Sequence, residues 1–133
     1  MLSVYRAAGS GEGGAEVNLT IQFPYRLRSC ANLREHWAAK ARRAKAERYM
    51  MALRLRGLPI PSFPVIVTLS WIHPRRADSD NVASAFKAVR DGVADWLGVD
   101  DGDESKVVWV YRQEVGQYAV RIEIKPRRAR RTS

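Results

Sequence analysis

From Val17 to Phe23 apolar and polar residues alternate, the period-two pattern of a strand with one buried face. Pro24 ends it, and a polar loop from Tyr25 to Ala31 leads into a stretch with a different period. From Leu33 to Leu55 the pattern predicts a helix, with Asn32 as its N-cap. Leu33, Trp37, Ala41, Ala44, Met51 and Leu55 approximate its buried stripe, interrupted by Arg48. Gly57 and Pro59 stop this helix, while Pro61 and Pro64 keep the next connection extended.

Val65 to Ile72 is β-branched and nearly continuous in apolar character, as expected of a central strand buried on much of both faces. A second helix is predicted from Asn81 to Leu97, closed by Gly98. Val82, Ala85, Phe86, Val89, Val93, Trp96 and Leu97 gather on one side of it. Val107 to Arg112 and Ala119 to Ile124 read as two further strands, joined around Gly116 as a hairpin. The order β-α-β-α-β-β predicts an α+β fold, a mixed four-stranded sheet packed by two helices, within residues 16–125. Residues 1–15, rich in Gly, Ala and Ser, read as a flexible leader, and residues 126–133, with four arginines and no core residues, as a disordered basic tail. Trp37, Trp71, Trp96 and Trp109 all fall on apolar patterns, so they read first as core rather than base-stacking residues.

Composition narrows the class. A chain of 133 residues suits one core. The single cysteine, Cys30, excludes an intrachain disulfide and a cysteine-ligated zinc cluster. No run reaches the ~18 to 20 apolar residues of a membrane span, and the apolar part of the first 16 residues is too short for a secretory signal. A soluble cytoplasmic protein is expected. The net charge of +9, with 18 Arg against 5 Lys, points to a polyanionic partner, with solubility alone as the alternative. No glycine-rich phosphate loop is present, so no nucleotide cofactor is expected.

Against that charge, residues 78–104 are anomalous. They hold eight of the 14 acidic residues and only two basic ones, Lys87 and Arg90. Asp78 and Asp80 follow the apolar strand two residues apart, and Asp80, Ser84, Lys87 and Asp91 form a stripe opposite the second helix's apolar side. Asp100-Asp101-Gly102 comes after the helix. Taken singly, each acid has a structural explanation: Asp80 as an N-cap, Lys87–Asp91 as an i,i+4 pair, Asp100 to Gly102 as a turn. Together, carboxylates inside a basic chain suit a divalent metal such as Mg²⁺, which relieves their repulsion and can activate water against a phosphodiester. Arg75 and Arg76 precede the acids, and the first helix carries Arg34, Lys40, Arg42, Arg43, Lys45, Arg48 and Arg54, enough cations to follow a phosphate backbone.

Asp78-x-Asp80-Asn81, then Lys87 and Asp91 on a helix, then Asp100-Asp101, resembles the RusA family of Holliday junction resolvases. The resemblance takes in the strand ending at Ile72, the basic lead-in Pro74-Arg75-Arg76, Asn32 and the basic first helix, and so covers most of residues 17–125. It implies a homodimeric, Mg²⁺-dependent endonuclease, with Mn²⁺ as a possible substitute, that resolves four-way DNA junctions by paired nicks in recombination and repair. Such a protein works in the cytoplasm of a bacterial or phage-infected cell. By position, Asp78, Asp80 and Asp101 match the family's metal-binding aspartates, Lys87 its catalytic lysine and Asp91 the following helical acid, with Asp100 a candidate accessory ligand. Asn32, Arg34, Lys40, Arg43, Arg75 and Arg76 are the expected DNA contacts. The lysine departs from the founding pattern: it lies six residues after Asn81 instead of three, where Ser84 stands. The shift is about one helical turn, so Lys87 can share a face with Asp80. Two other readings stay open: a non-catalytic DNA- or RNA-binding module, and a nuclease of broader taste for branched DNA.

Overall fold

The alternating segment forms a strand, Val17–Pro24, in which Leu19, Ile21 and Phe23 are buried. This computed structural model describes residues 6–9, 17–28, 37–75 and 79–127, with backbone alone at 6–9, 17 and 79–81. The elements in chain order are β1 (Arg6–Gly9), β2 (Val17–Pro24), α1 (Trp37–Leu55), β3 (Val65–His73), α2 (Ser79–Ala85), α3 (Lys87–Leu97), β4 (Val107–Val115) and β5 (Ala119–Pro126). The fold is α+β, as the pattern of elements predicts.

The described sheet has the order β1-β2-β5-β3-β4. Only the β3–β4 pair is parallel, joined through α2 and α3; the other neighbours are antiparallel. Register explains the core. Leu19, Ile21 and Phe23 stand opposite Ile124, Ile122 and Val120, which in turn face Val67, Leu69 and Trp71. Residues directly opposite share a face, so three strands present one continuous apolar surface. Met51 and Leu55 of α1, together with Phe86, Val89, Val93 and Leu97, complete the core cluster over it. The reverse face carries Thr20, Gln22, Arg121 and Glu123, where Arg121 donates to Gln22 and pairs with Glu114 at 2.5 Å.

Three details differ from the sequence reading. Arg6–Gly9, inside the expected leader, pairs with Val17–Thr20 and adds a fifth strand at the β2 edge. The expected β4–β5 hairpin does not form, because β3 lies between those strands. Their link, Gly116–Tyr118, arches over the end of β3, with the Gly116 N–H donating to the His73 carbonyl. A Cβ at Gly116 would sit 3.0 Å from Ile72 Cγ2, a tight contact that would press on that side chain. A strand as apolar as β3 gains most from neighbours on both edges, and this topology supplies them.

The third difference lies in the second helix. It is interrupted at Phe86 (φ −88°, ψ 0°), so Ser79–Ala85 and Lys87–Leu97 are separate helices. Phe86 is fully buried and stacks on Tyr111, with ring centres 6.1 Å apart. Gly98 closes α3 in the left-handed region (φ 74°), and the Gly98 and Val99 N–H groups return to the Asp95 and Ala94 carbonyls. That paired arrangement is the glycine stop the sequence predicts.

Candidate nucleic-acid and metal site

The site is built where β3 ends and α2 begins. β3 is buried to its last residue: His73 is 6% exposed, stacks on Trp71 and pairs through Nε2 with Gln113 Oε1 at 3.0 Å. Asp80 falls in the first turn of α2, where a carboxylate is favoured by the helix dipole. Lys87 opens α3 and is exposed, and Asp91, one turn further, is half-buried. Asp78, Arg76, Asn32 and Arg34 lie outside the described residues, and Asp80 is described by its backbone alone. Arg75 is exposed directly after β3.

Facing α2 and α3 across a groove of about 600 Å³ is the N-terminal half of α1. Lys40, Arg43, Lys45 and Arg48 line one wall; Ser84, Lys87 and Asp91 line the other. The helices are held together at one close crossing. A Cβ at Gly92 would lie 2.6 Å from the Arg48 carbonyl oxygen and 2.7 Å from Met51 Cβ, so only glycine lets them approach this far. Beside the crossing, Arg48 donates two hydrogen bonds to Asp95, at 2.6 and 2.7 Å. That hydrogen-bonded pairing holds the Asp95 carboxyl below its ordinary range.

The apolar stripe expected for the first helix holds only at its C-terminal end. Met51 and Leu55 are buried, but Ala41 and Ala44 are exposed, and Trp37 is 77% exposed. Trp37 is therefore not a core residue. Instead Glu47 enters the interior at 8% exposure, its carboxylate accepting a 2.6 Å hydrogen bond from the Tyr25 hydroxyl. Burial pushes the Glu47 carboxyl above its usual range, against the pull of Tyr25 and Arg43. An isolated acid among cations gives no sign in the sequence that it will be buried; Tyr25, 22 positions away, is what receives it.

The acids after α3 have partners in their own turn or on α3. Asp100 Oδ1 accepts the Gly102 N–H at 3.1 Å, and Asp103 Oδ1 accepts from the Ser105 hydroxyl and N–H. The Asp101 carboxylate lies 3.1 Å from Arg90 Nε, and its carbonyl accepts from Arg90 and from Trp109 Nε1. Arg90 also donates to the Tyr111 hydroxyl at 2.9 Å and lies over the Trp109 ring. Asp101, Arg90, Trp109 and Tyr111 share a separate recess from the groove that Lys87 and Asp91 line. Among the described residues no group of three or more His, Cys, Asp or Glu is arranged to hold a metal.

The donor chemistry of Asp78 and Asp80 suits Mg²⁺, which takes oxygen ligands, keeps several waters and often uses only one or two carboxylates. The Asp101 carboxylate faces Arg90, which holds it in the recess away from the groove.

No family model matches the chain. The chain is similar to an uncharacterized protein of Xylella fastidiosa (strain Temecula1 / ATCC 700964), 34% identical over 92 residues, which cover 63% of this chain and 60% of that protein. The chain therefore spans less than two thirds of that relative's length. No helix among the described residues is long and apolar enough to cross a membrane.

Proposed function

We propose that this protein is a divalent-metal-dependent endonuclease of the RusA type that cuts branched DNA, four-way junctions above all, as a twofold dimer in the cytoplasm of a bacterial or phage-infected cell. The observation that carries the reading is the groove itself. Ser84, Lys87 and Asp91 form one wall, and the cations of α1 form the other.

Asp78 and Asp80 would hold Mg²⁺, with Mn²⁺ a workable substitute, and Asp101 and Asp100 are the further candidate ligands. When bound, the ion supplies charge stabilisation at the phosphodiester and a water acidic enough to attack it. The Lys87 ammonium, exposed at the groove, neutralises charge developing on the phosphate oxygens. Asp91, one turn on, lines the same groove wall. Lys40, Arg43 and Arg75, with Arg34, Arg76 and Asn32, grip the backbone and set its register without reading bases. Two copies related by a twofold axis would present two such sites to opposed strands of a junction.

The test is incubation of a labelled four-way junction and a linear duplex of the same sequence, with Mg²⁺ or with chelator. Paired, symmetric nicks in the junction are expected, abolished by chelator and by Asp80→Asn, while junction binding survives the substitution.

One observation favours a second reading. Asp100 and Asp101 already have structural partners in Gly102 and Arg90, which leaves room for a non-catalytic nucleic-acid-binding module. Junction binding without cutting in any divalent metal would establish that module and sink the endonuclease.

A further inference from the structure

Trp37 is the feature the endonuclease reading does not use. Its indole is 77% exposed on the rim of the groove, on a helix whose next eight residues include Lys40, Arg42, Arg43 and Lys45. Between the walls, small side chains leave room: Ala41 and Ala44 on α1 meet Ala85 and Ala88 across the gap. The lining is cationic. Five Lys or Arg residues line it against two acids, and one of those acids, Glu47, is buried and hydrogen-bonded to Tyr25.

A cationic channel with an exposed aromatic ring at its edge matches the chemistry of an unpaired nucleic-acid strand. Phosphates follow the charges, and a base with a free face stacks on the ring. A duplex offers the cations the same phosphates, but its bases are already stacked on one another. An acidic peptide would satisfy the charges but need not offer a planar ring to the exposed indole.

We propose that the groove between α1 and the α2–α3 arm binds an unpaired DNA strand, with Trp37 stacking on a base and Lys40, Arg43 and Lys45 tracking the phosphates. The inference rests on the endonuclease reading only for what happens next: a strand seated there passes Ser84 and Lys87, so unpaired nucleotides at a branch point would be the feature the site selects. The binding itself needs no catalysis.

The experiment measures binding of fluorescent single-stranded DNA and of the matching duplex by anisotropy, in chelator so that no cutting occurs. Wild type, Trp37→Ala, Trp37→Phe, Lys40→Ala and Lys45→Ala are compared, with thermal melting as the control for folding. Trp37→Ala is expected to weaken single-strand binding about tenfold, the loss typical of one stacked base, with duplex binding unchanged; Trp37→Phe retains most of the affinity. Each lysine removed is expected to lower the slope of log affinity against log salt by about 0.7 for the single strand.

Unchanged single-strand binding by Trp37→Ala, or equal losses on single strand and duplex, would overturn the proposal. So would tighter binding of RNA of the same sequence, which would make RNA the occupant. Trp37-dependent binding by a protein that nicks no junction in Mg²⁺ would keep the inference and remove the endonuclease reading. Junction cutting with unaltered single-strand binding in Trp37→Ala would do the reverse.

Discussion

Helix α3 buries Val89, Val93, Ala94 and Leu97 within eleven residues, whereas α1 buries only Glu47, Met51 and Leu55 within nineteen. Both sequences show a helical apolar period, so the difference lies in what the period is made of. In α3 the stripe is valine and leucine, and each buried side chain contributes about 1.5–3 kcal/mol. In the first half of α1 it is alanine, with one tryptophan, among Lys40, Arg42, Arg43 and Lys45. Burying those alanines gains little, and burying the neighbouring cations costs far more. The first half of α1 therefore leaves the core and presents its charges, while the second half anchors it through Met51 and Leu55. One helix buries an apolar face, and the first half of the other leaves its cations in solvent.

The comparison can be broken at its anchor first. Met51→Ala removes a fully buried side chain at the crossing and is expected to destabilise by about 2–5 kcal/mol in a denaturant titration. A smaller value would mean that α1 is held elsewhere. Gly92→Ala puts a methyl group against the Arg48 carbonyl. It should cost about 1–3 kcal/mol, as overpacking does, and should widen the groove between the helices.

Glu47 sharpens the contrast through pH. Its folded carboxyl is pushed above the ordinary value of 4.5, so folding favours the protonated form. The stability it contributes is present below that ordinary value and is lost as pH rises through the folded one. Wild type should therefore lose stability relative to Glu47→Gln between acid and neutral pH, measured as denaturation midpoints at several pH values. A constant difference would show that Tyr25 fully offsets the burial. Smallest of all, Trp37→Ala should leave stability within about 0.5 kcal/mol of wild type, as exposed positions do; a larger loss would return Trp37 to the core.

The local periods of this chain were legible, and its long-range pairings were not. The alternation of β2, the apolar run of β3 and the Gly98 stop follow from neighbouring residues, and the structure has them where they are expected. The β4–β5 link reads as a hairpin because a short segment around Gly116 separates two strands, yet pairing depends on β3, more than thirty residues upstream, taking the place between them. No local signal marks the interruption at Phe86 either, whose ring is buried and stacks on Tyr111 of β4.

In the candidate site the acidic segment itself was legible from charge. Its division was not. Asp95, Asp100, Asp101 and Asp103 have Arg48, Gly102, Arg90 and Ser105 as partners, and one of these, Arg48, comes from another part of the fold. Asp78 and Asp80 start the segment, and on them the metal reading now depends most.

The most direct test of the endonuclease uses a supercoiled plasmid carrying an inverted repeat that extrudes a four-way junction. In Mg²⁺ the protein is expected to convert it to a linear form by paired cuts at the junction. Chelator and Asp80→Asn should each leave it supercoiled. A plasmid that stays intact with wild-type protein in Mg²⁺ and in Mn²⁺, although the junction is bound, would contradict the account.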